Sequence, residues 1–78
     1  MFTARQLTAL MHAQPFKPFR IHLSDGRSFE VPTHDAAWVT ESYIEIGLDL
    51  NSEGIARRSA RCAILHITGI EELQPATP

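Results

Sequence analysis

Between Phe19 and Val31 apolar and polar side chains alternate on both sides of a turn-forming Asp25-Gly26 pair, and nothing else in the chain restricts its fold as tightly. Successive side chains of a strand point to opposite faces, so Phe19, Ile21 and Leu23 share one face, as do Phe29 and Val31 on the next strand. A loop of Asp25 and Gly26 alone would pair His22 with Phe29 and turn the two apolar sets to opposite sides of the ladder. A three-residue loop, Ser24-Asp25-Gly26, with Gly26 in the left-handed region, removes that conflict. It sets Ile21 opposite Phe29, Phe19 opposite Val31 and Arg20 opposite Glu30. This register is the expectation.

The same logic applies downstream. Tyr43 to Leu50 alternates, with Ile44, Ile46, Leu48 and Leu50 inward and Tyr43, Glu45, Gly47 and Asp49 outward. A second loop of the same kind, Ser52-Glu53-Gly54, then pairs Ile44 with Cys62, Ile46 with Ala60 and Leu50 with Ala56. On the outer face Glu45 meets Arg61 and Asp49 meets Arg57. Leu48 falls opposite Arg58, which predicts a bulge or a late start in the fourth strand. Pro32 ends the second strand, and residues 33–37 read as a turn or short irregular link. Ala63 to Leu73 reads as the end of the fourth strand, a tight turn near His66 to Thr68, and a short final strand. Residues 74–78 read as a frayed tail.

Ahead of the strands lies a helix with complete start signals. Thr3 serves as N-cap, Gln6 closes a capping box, and Phe2 with Leu7 fits a hydrophobic staple. Leu7, Leu10 and Met11 form an apolar stripe, and Pro15 disfavours helical geometry at Gln14, so the helix is expected over 3–13. A helix this short needs a surface to dock on. The PFKPF segment, 15–19, then carries the chain from helix to sheet, with Phe16 and Phe19 as anchors; the alternative is a proline-rich ligand segment. One helix followed by about five antiparallel strands predicts a mostly β (α+β) domain over residues 1–73. The helix is expected to cap a small, bent, five-stranded sheet or barrel.

Composition bears on how such a domain is held together. The chain has 78 residues, a net charge of −2 and one cysteine, Cys62. Single cores of this size rarely supply more than ~3–5 kcal/mol and are usually reinforced by a disulfide, a metal or a partner subunit. Cys62 alone cannot form an internal disulfide and suggests a reducing compartment, so self-association is the default expectation. The charge gives no global attraction to nucleic acid or anionic membrane. Neither a bilayer-spanning apolar run nor a secretory signal is read, which makes the expected location cytoplasmic.

The order of elements resembles the Sm-like and Src-homology-3-like small barrels. FRIHLSDGRSFEV, residues 19–31, matches the first Sm hairpin with its acidic-Gly turn. Val31 stands where Sm proteins carry a bending glycine, and their Asp-x-x-x-Asn segment is absent. A nearer resemblance joins QPFKPFRIHLSDGRSFEV (14–31) with AILHITGIEEL (63–73). Together these look like a group of small bacterial proteins with the pattern Pro-Phe-x-Pro-Phe-x-Ile-x-Leu-x-Asp-Gly, a His-containing turn, then Leu-His-Ile-x-x-Ile-Glu. Where that turn commonly reads His-Pro-Glu, this chain has Thr33-His34-Asp35. The resemblance implies kinship and brings no activity with it.

Candidate chemistry is sparse. His34-Asp35 offers an acid–base pair or half a metal site, against a reading as a turn in which Thr33 or Asp35 caps local backbone. His12, His22, His34 and His66 stand at no recognisable ligand spacing, so no metal or other cofactor is expected. His66 is expected to satisfy backbone at the final turn with its ring. Cys62 alternates with the apolar face and reads as an inert buried residue rather than a nucleophile. Arg57, Arg58 and Arg61 form the only basic concentration, an anion or RNA contact surface unless Glu45 and Asp49 neutralise it. Trp38, between Ala37 and Val39, reads as core, with a partner-surface anchor as the alternative. Tyr43 is the aromatic best placed to join such a surface or to stack on a base. With no catalytic constellation, the chain reads as a non-catalytic interaction module that associates with itself or another protein. The second reading is an Sm-like RNA-binding protein using the three arginines, and the third is a small enzyme at His34-Asp35.

Overall fold

The computed structural model describes residues 1–73, so the expectation for 74–78 lies outside the described residues. The chain is mostly β with one short helix: α1 (Ala4–Met11), β1 (Phe19–Leu23), β2 (Ser28–Val31), β3 (Ala37–Val39), β4 (Tyr43–Leu50), β5 (Ala56–Ala63), a 3-10 turn (Ile64–His66) and β6 (Ile67–Glu72). These strands form two three-stranded antiparallel sheets, in the orders β2-β1-β6 and β3-β4-β5. The expected single five-stranded sheet is corrected on two counts. A further strand, β3, follows the turn after Pro32, and among the described residues no ladder joins the β2 half of the molecule to the β3 half. Residues 33–36 form the turn expected there, and β3 after it was not legible because a strand of three residues shows too little periodicity to be read.

Both odd-length loops are present. Leu23 and Arg27 close the first, with Gly26 at φ +92°, and the ladder runs Phe19↔Val31, Arg20↔Glu30 and Ile21↔Phe29. Asn51 and Ile55 close the second, with Gly54 at φ +82°, and Ile44 meets Cys62, Ile46 meets Ala60 and Leu50 meets Ala56. A side chain at either glycine would have to enter a backbone region that L-residues avoid.

The conflict between Leu48 and Arg58 is resolved differently from the expectation. β5 neither starts late nor loses its register: Leu48 does face Arg58. Instead Asp49 takes a left-handed φ of +54°, which Asp tolerates better than most residues. Its carboxylate accepts from Arg58 Nε at 2.7 Å, so the outer-face pairing of Asp49 with Arg57 is replaced by one with Arg58. This half of the hairpin extends past the core, since residues 51–59 are all exposed.

α1 is shorter than expected, ending at Met11 with His12 as C-cap. Both capping-box bonds form, Gln6 N–H to Thr3 Oγ1 at 3.1 Å and Thr3 N–H to Gln6 Oε1 at 2.9 Å. Leu7 and Met11 are buried, and Leu10 and Phe2 pack half-buried at the margin. The core between the sheets is Phe19, Ile21 and Val31 from one side and Ile44, Ile46 and Cys62 from the other, with Leu7 and Met11 closing one end. β1 and β6 shift register between His22 and Leu23, which lets Ile67 meet Leu23 and Ile70 meet Ile21 despite their odd separation. The 3-10 turn carries the chain from one sheet to the other, with Ile64 N–H donating to Ser42 O and Ser24 N–H donating to His66 O, each at 2.9 Å.

Candidate functional site

The outer face of the β3-β4-β5 sheet gathers most of the residues singled out by the sequence. Trp38 stands opposite Glu45, which stands opposite Arg61 on the third strand. Arg61 Nε donates to Glu45 Oε1 at 2.8 Å, and Ser59 Oγ donates to Glu45 Oε2 at 2.7 Å. These bonds hold the Glu45 carboxyl below its usual pKa range, with Arg61 the larger cause, and raise that of Arg61 in return. The Arg61 guanidinium also lies over the Tyr43 ring, 4.3 Å from its centroid.

Trp38 is not core. It is 74% exposed. The cause is parity: Ala37 and Val39 face inward with Ile46 and Ile44, which leaves the middle residue of β3 on the outer face beside Glu45. β3 is also an edge strand. Ala36 O accepts from Gly47 N–H at 2.7 Å and Thr40 N–H donates to Tyr43 O at 2.8 Å. Antiparallel ladders alternate bonded and non-bonded pairs, so Ala37 and Val39 turn their backbone groups away from β4. A cleft of ≈ 250 Å³ runs along this side, lined by Thr8, Met11 and His12 of α1 together with His34, Val39 and Trp38 itself. A wider groove of ≈ 660 Å³ lies between β1–β2 and β4 over Phe29, Leu48 and Leu50. The charged residues on its rim are engaged internally, Arg20 with Glu30 and Glu71, and Asp49 with Arg58.

The arginine trio is unequally engaged. Arg57, Arg58 and Arg61 are all exposed on β5, but Arg58 is held by Asp49 and Arg61 by Glu45. Arg57 makes no ion pair among the described residues. Nor do His34 and Asp35 engage each other by hydrogen bonding. Asp35 Oδ1 accepts from Thr33 Oγ1 at 2.7 Å, the main cause of its lowered pKa, while His34 lies edge-on to Phe16 at 6.5 Å. Thr33 O accepts from Ala36 N–H, which makes the segment a turn. At the last turn it is the His66 backbone carbonyl, rather than its ring, that accepts from Ser24. Cys62 is buried, and desolvation raises its thiol pKa. No group of three or more His, Cys, Asp and Glu side chains able to hold a metal occurs among the described residues. Among those residues, too, no helix is long and apolar enough to cross a membrane.

Sequence reasoning missed two features. One is the His22 contact with Glu71, 3.0 Å, in a network with Arg20 and Glu30 on the outer face of the first sheet. The other is the cavity that brings Arg27 and His66 to Arg61. Both join residues far apart in the chain, and no local spacing announces them. No family model, curated protein or solved structure matches the chain.

Proposed function

We propose that the protein is a non-catalytic interaction module that pairs with a second copy of itself through Trp38 and the β3 edge. One observation carries this reading: a 74% exposed tryptophan on an edge strand, at the rim of a cleft of ≈ 250 Å³. Tryptophan is enriched among residues that dominate binding energy, and its exposure to water is otherwise unfavourable. A two-fold axis near Trp38 would bring each indole to the partner's cleft, the self-complementary arrangement a symmetric dimer requires. Tyr43, half-buried under Arg61, flanks that surface. A thin core gives such pairing a second purpose, because surface covered by a partner adds to stability.

Sedimentation at micromolar concentration tests the reading. The expected result is a dimer that Trp38→Ala converts to a monomer with an unchanged circular dichroism spectrum. A wild-type monomer throughout that range overturns it.

The finer fold likeness belongs with a second reading, an Sm-like or Src-homology-3-like barrel that binds RNA. What favours it is the chain order alone, a helix ahead of antiparallel strands with β2 leading to β3 through the turn after Pro32. The unpaired Arg57 beside Arg58 and Arg61 supplies the charge. Fluorescence anisotropy with a short RNA would then show binding that weakens steeply with salt; flat traces dismiss it. Kinship with the small bacterial proteins of similar pattern, and a cytoplasmic setting suited to a free thiol, complete the proposal.

A further inference from the structure

We infer that the cavity between the β1–β2 turn and the end of β5 binds a small oxyanion, a phosphate or a phosphate monoester. The cavity measures ≈ 270 Å³, and Ser24 and Arg27 from the turn, Arg61 from β5 and His66 from the 3-10 turn line it. Its walls are tied together, since Ser24 N–H donates to His66 O at 2.9 Å.

Both guanidinium groups are fixed before any ligand arrives. Arg27 Nε donates to Asp25 Oδ2 at 2.7 Å, and the group lies 5.7 Å from the Phe29 ring centroid. Arg61 Nε donates to Glu45 Oε1 at 2.8 Å, and the group lies 4.3 Å from the Tyr43 ring centroid. Each is engaged through Nε, and among the described residues no acceptor holds its terminal amino groups. Those groups are the part of the fork that matches a phosphate oxygen pair, and anchoring them removes much of the ordering cost of binding.

The donors around the cavity suit an anion, and each arginine there already has one carboxylate partner, Arg27 with Asp25 and Arg61 with Glu45 behind the wall. Arg27 and Arg61 are positive, the Ser24 hydroxyl donates, and the His66 ring can donate in either charge state. Asp25 is the one carboxylate in the lining, and it already accepts from both the backbone N–H and the Nε of Arg27. Cys62 contributes to the wall, and burial keeps its thiol protonated, so it adds no opposing charge. The arginines that meet here are not the three adjacent in sequence. Arg61 leaves Arg57 and Arg58 and joins Arg27, 34 positions earlier in the chain by their numbers.

The test is an amide and arginine Nε NMR titration of the whole protein with inorganic phosphate, in a low-salt buffer free of other oxyanions. Sodium chloride at matched ionic strength is the control. The expected result is saturable shifts at Ser24, Arg27, Arg61 and His66 that chloride does not reproduce. Arg27→Gln should weaken binding about tenfold or more, the loss of one charge-assisted pair. Arg61→Gln should do the same, and Arg57→Gln, outside the cavity, should leave the constant within about twofold. A parallel titration with glycerol phosphate separates the sources: tighter binding than inorganic phosphate assigns a monoester, and equal or weaker binding assigns the free anion. Linear shifts without saturation, or an Arg57→Gln loss equal to that of Arg27→Gln, overturn the inference. Binding is scored on the monomer as well as any dimer, so it stands or falls separately from self-association.

Discussion

Trp38 and Ile46 occupy neighbouring rungs of one ladder and have opposite fates. Ile46 is fully buried opposite Ala37, and Trp38 is exposed opposite Glu45. Ile46→Ala removes buried methyl groups and leaves a cavity, a change that typically costs about 2–5 kcal/mol. Set against the ~3–5 kcal/mol that such a core supplies, this variant should be largely unfolded at 25 °C by circular dichroism. Trp38→Ala removes nothing from the core, and urea unfolding of the dilute monomer should move by no more than about 0.5 kcal/mol. The sequence allowed the buried role to be assigned to Ile46 because it falls on the apolar phase of an alternating run, between Glu45 and Gly47. It misled at Trp38 because Ala37, Trp38 and Val39 are all apolar, so only the identity of the cross-strand partner decides which side faces water. Asp49 was illegible for a related reason: a single left-handed residue inside a regular alternation leaves no compositional trace.

Hairpins are the scale at which electrostatics enters. Two strand pairings carry a carboxylate with a lowered pKa: Glu45 through Arg61 and Ser59 in the β4–β5 hairpin, and Glu71 chiefly through His22 in the long-range β1–β6 pairing. Asp25 in the first turn is lowered by the Arg27 backbone N–H and then its side chain. A carboxyl with a depressed folded-state pKa adds stability above its unfolded value, and that stability is lost as pH falls through the folded value. Thermal midpoints should therefore hold steady above the ordinary carboxylate range and fall as the pH drops below about 4. Glu45→Gln should flatten part of that acid limb, most visibly in amide exchange of β5, where Ser59 and Arg61 lose their acceptor's charge. These hairpins were readable because two loops of odd length were the only ones that brought apolar sets together. The facing of Glu45 and Arg61 followed from that register without further assumption. The link through β3 was not readable, since a three-residue strand is defined by its neighbour rather than by its own pattern.

At the scale of the whole molecule, two small sheets share one core, and each sheet ends in an edge strand on both sides. Exposed edges with unpaired backbone groups invite another strand, and natural domains blunt them with charge or cover them. β5 carries Arg57, Arg58 and Arg61, and β6 carries Glu71 and Glu72, so charge guards those two. β3 has no charged residue at all, only Ala37, Trp38 and Val39. Cover is then the remaining device, and if a second copy supplies it, stability must depend on concentration. For a dimer well above its dissociation constant, a tenfold rise in protein should lift the thermal midpoint of a domain this size by about 3–6 °C. Trp38→Lys, which gives the edge the charge it lacks, should abolish that dependence and leave the dilute midpoint in place. A wild-type midpoint indifferent to concentration would mean that β3 goes uncovered by a second copy, and that α1 beside it is protection enough.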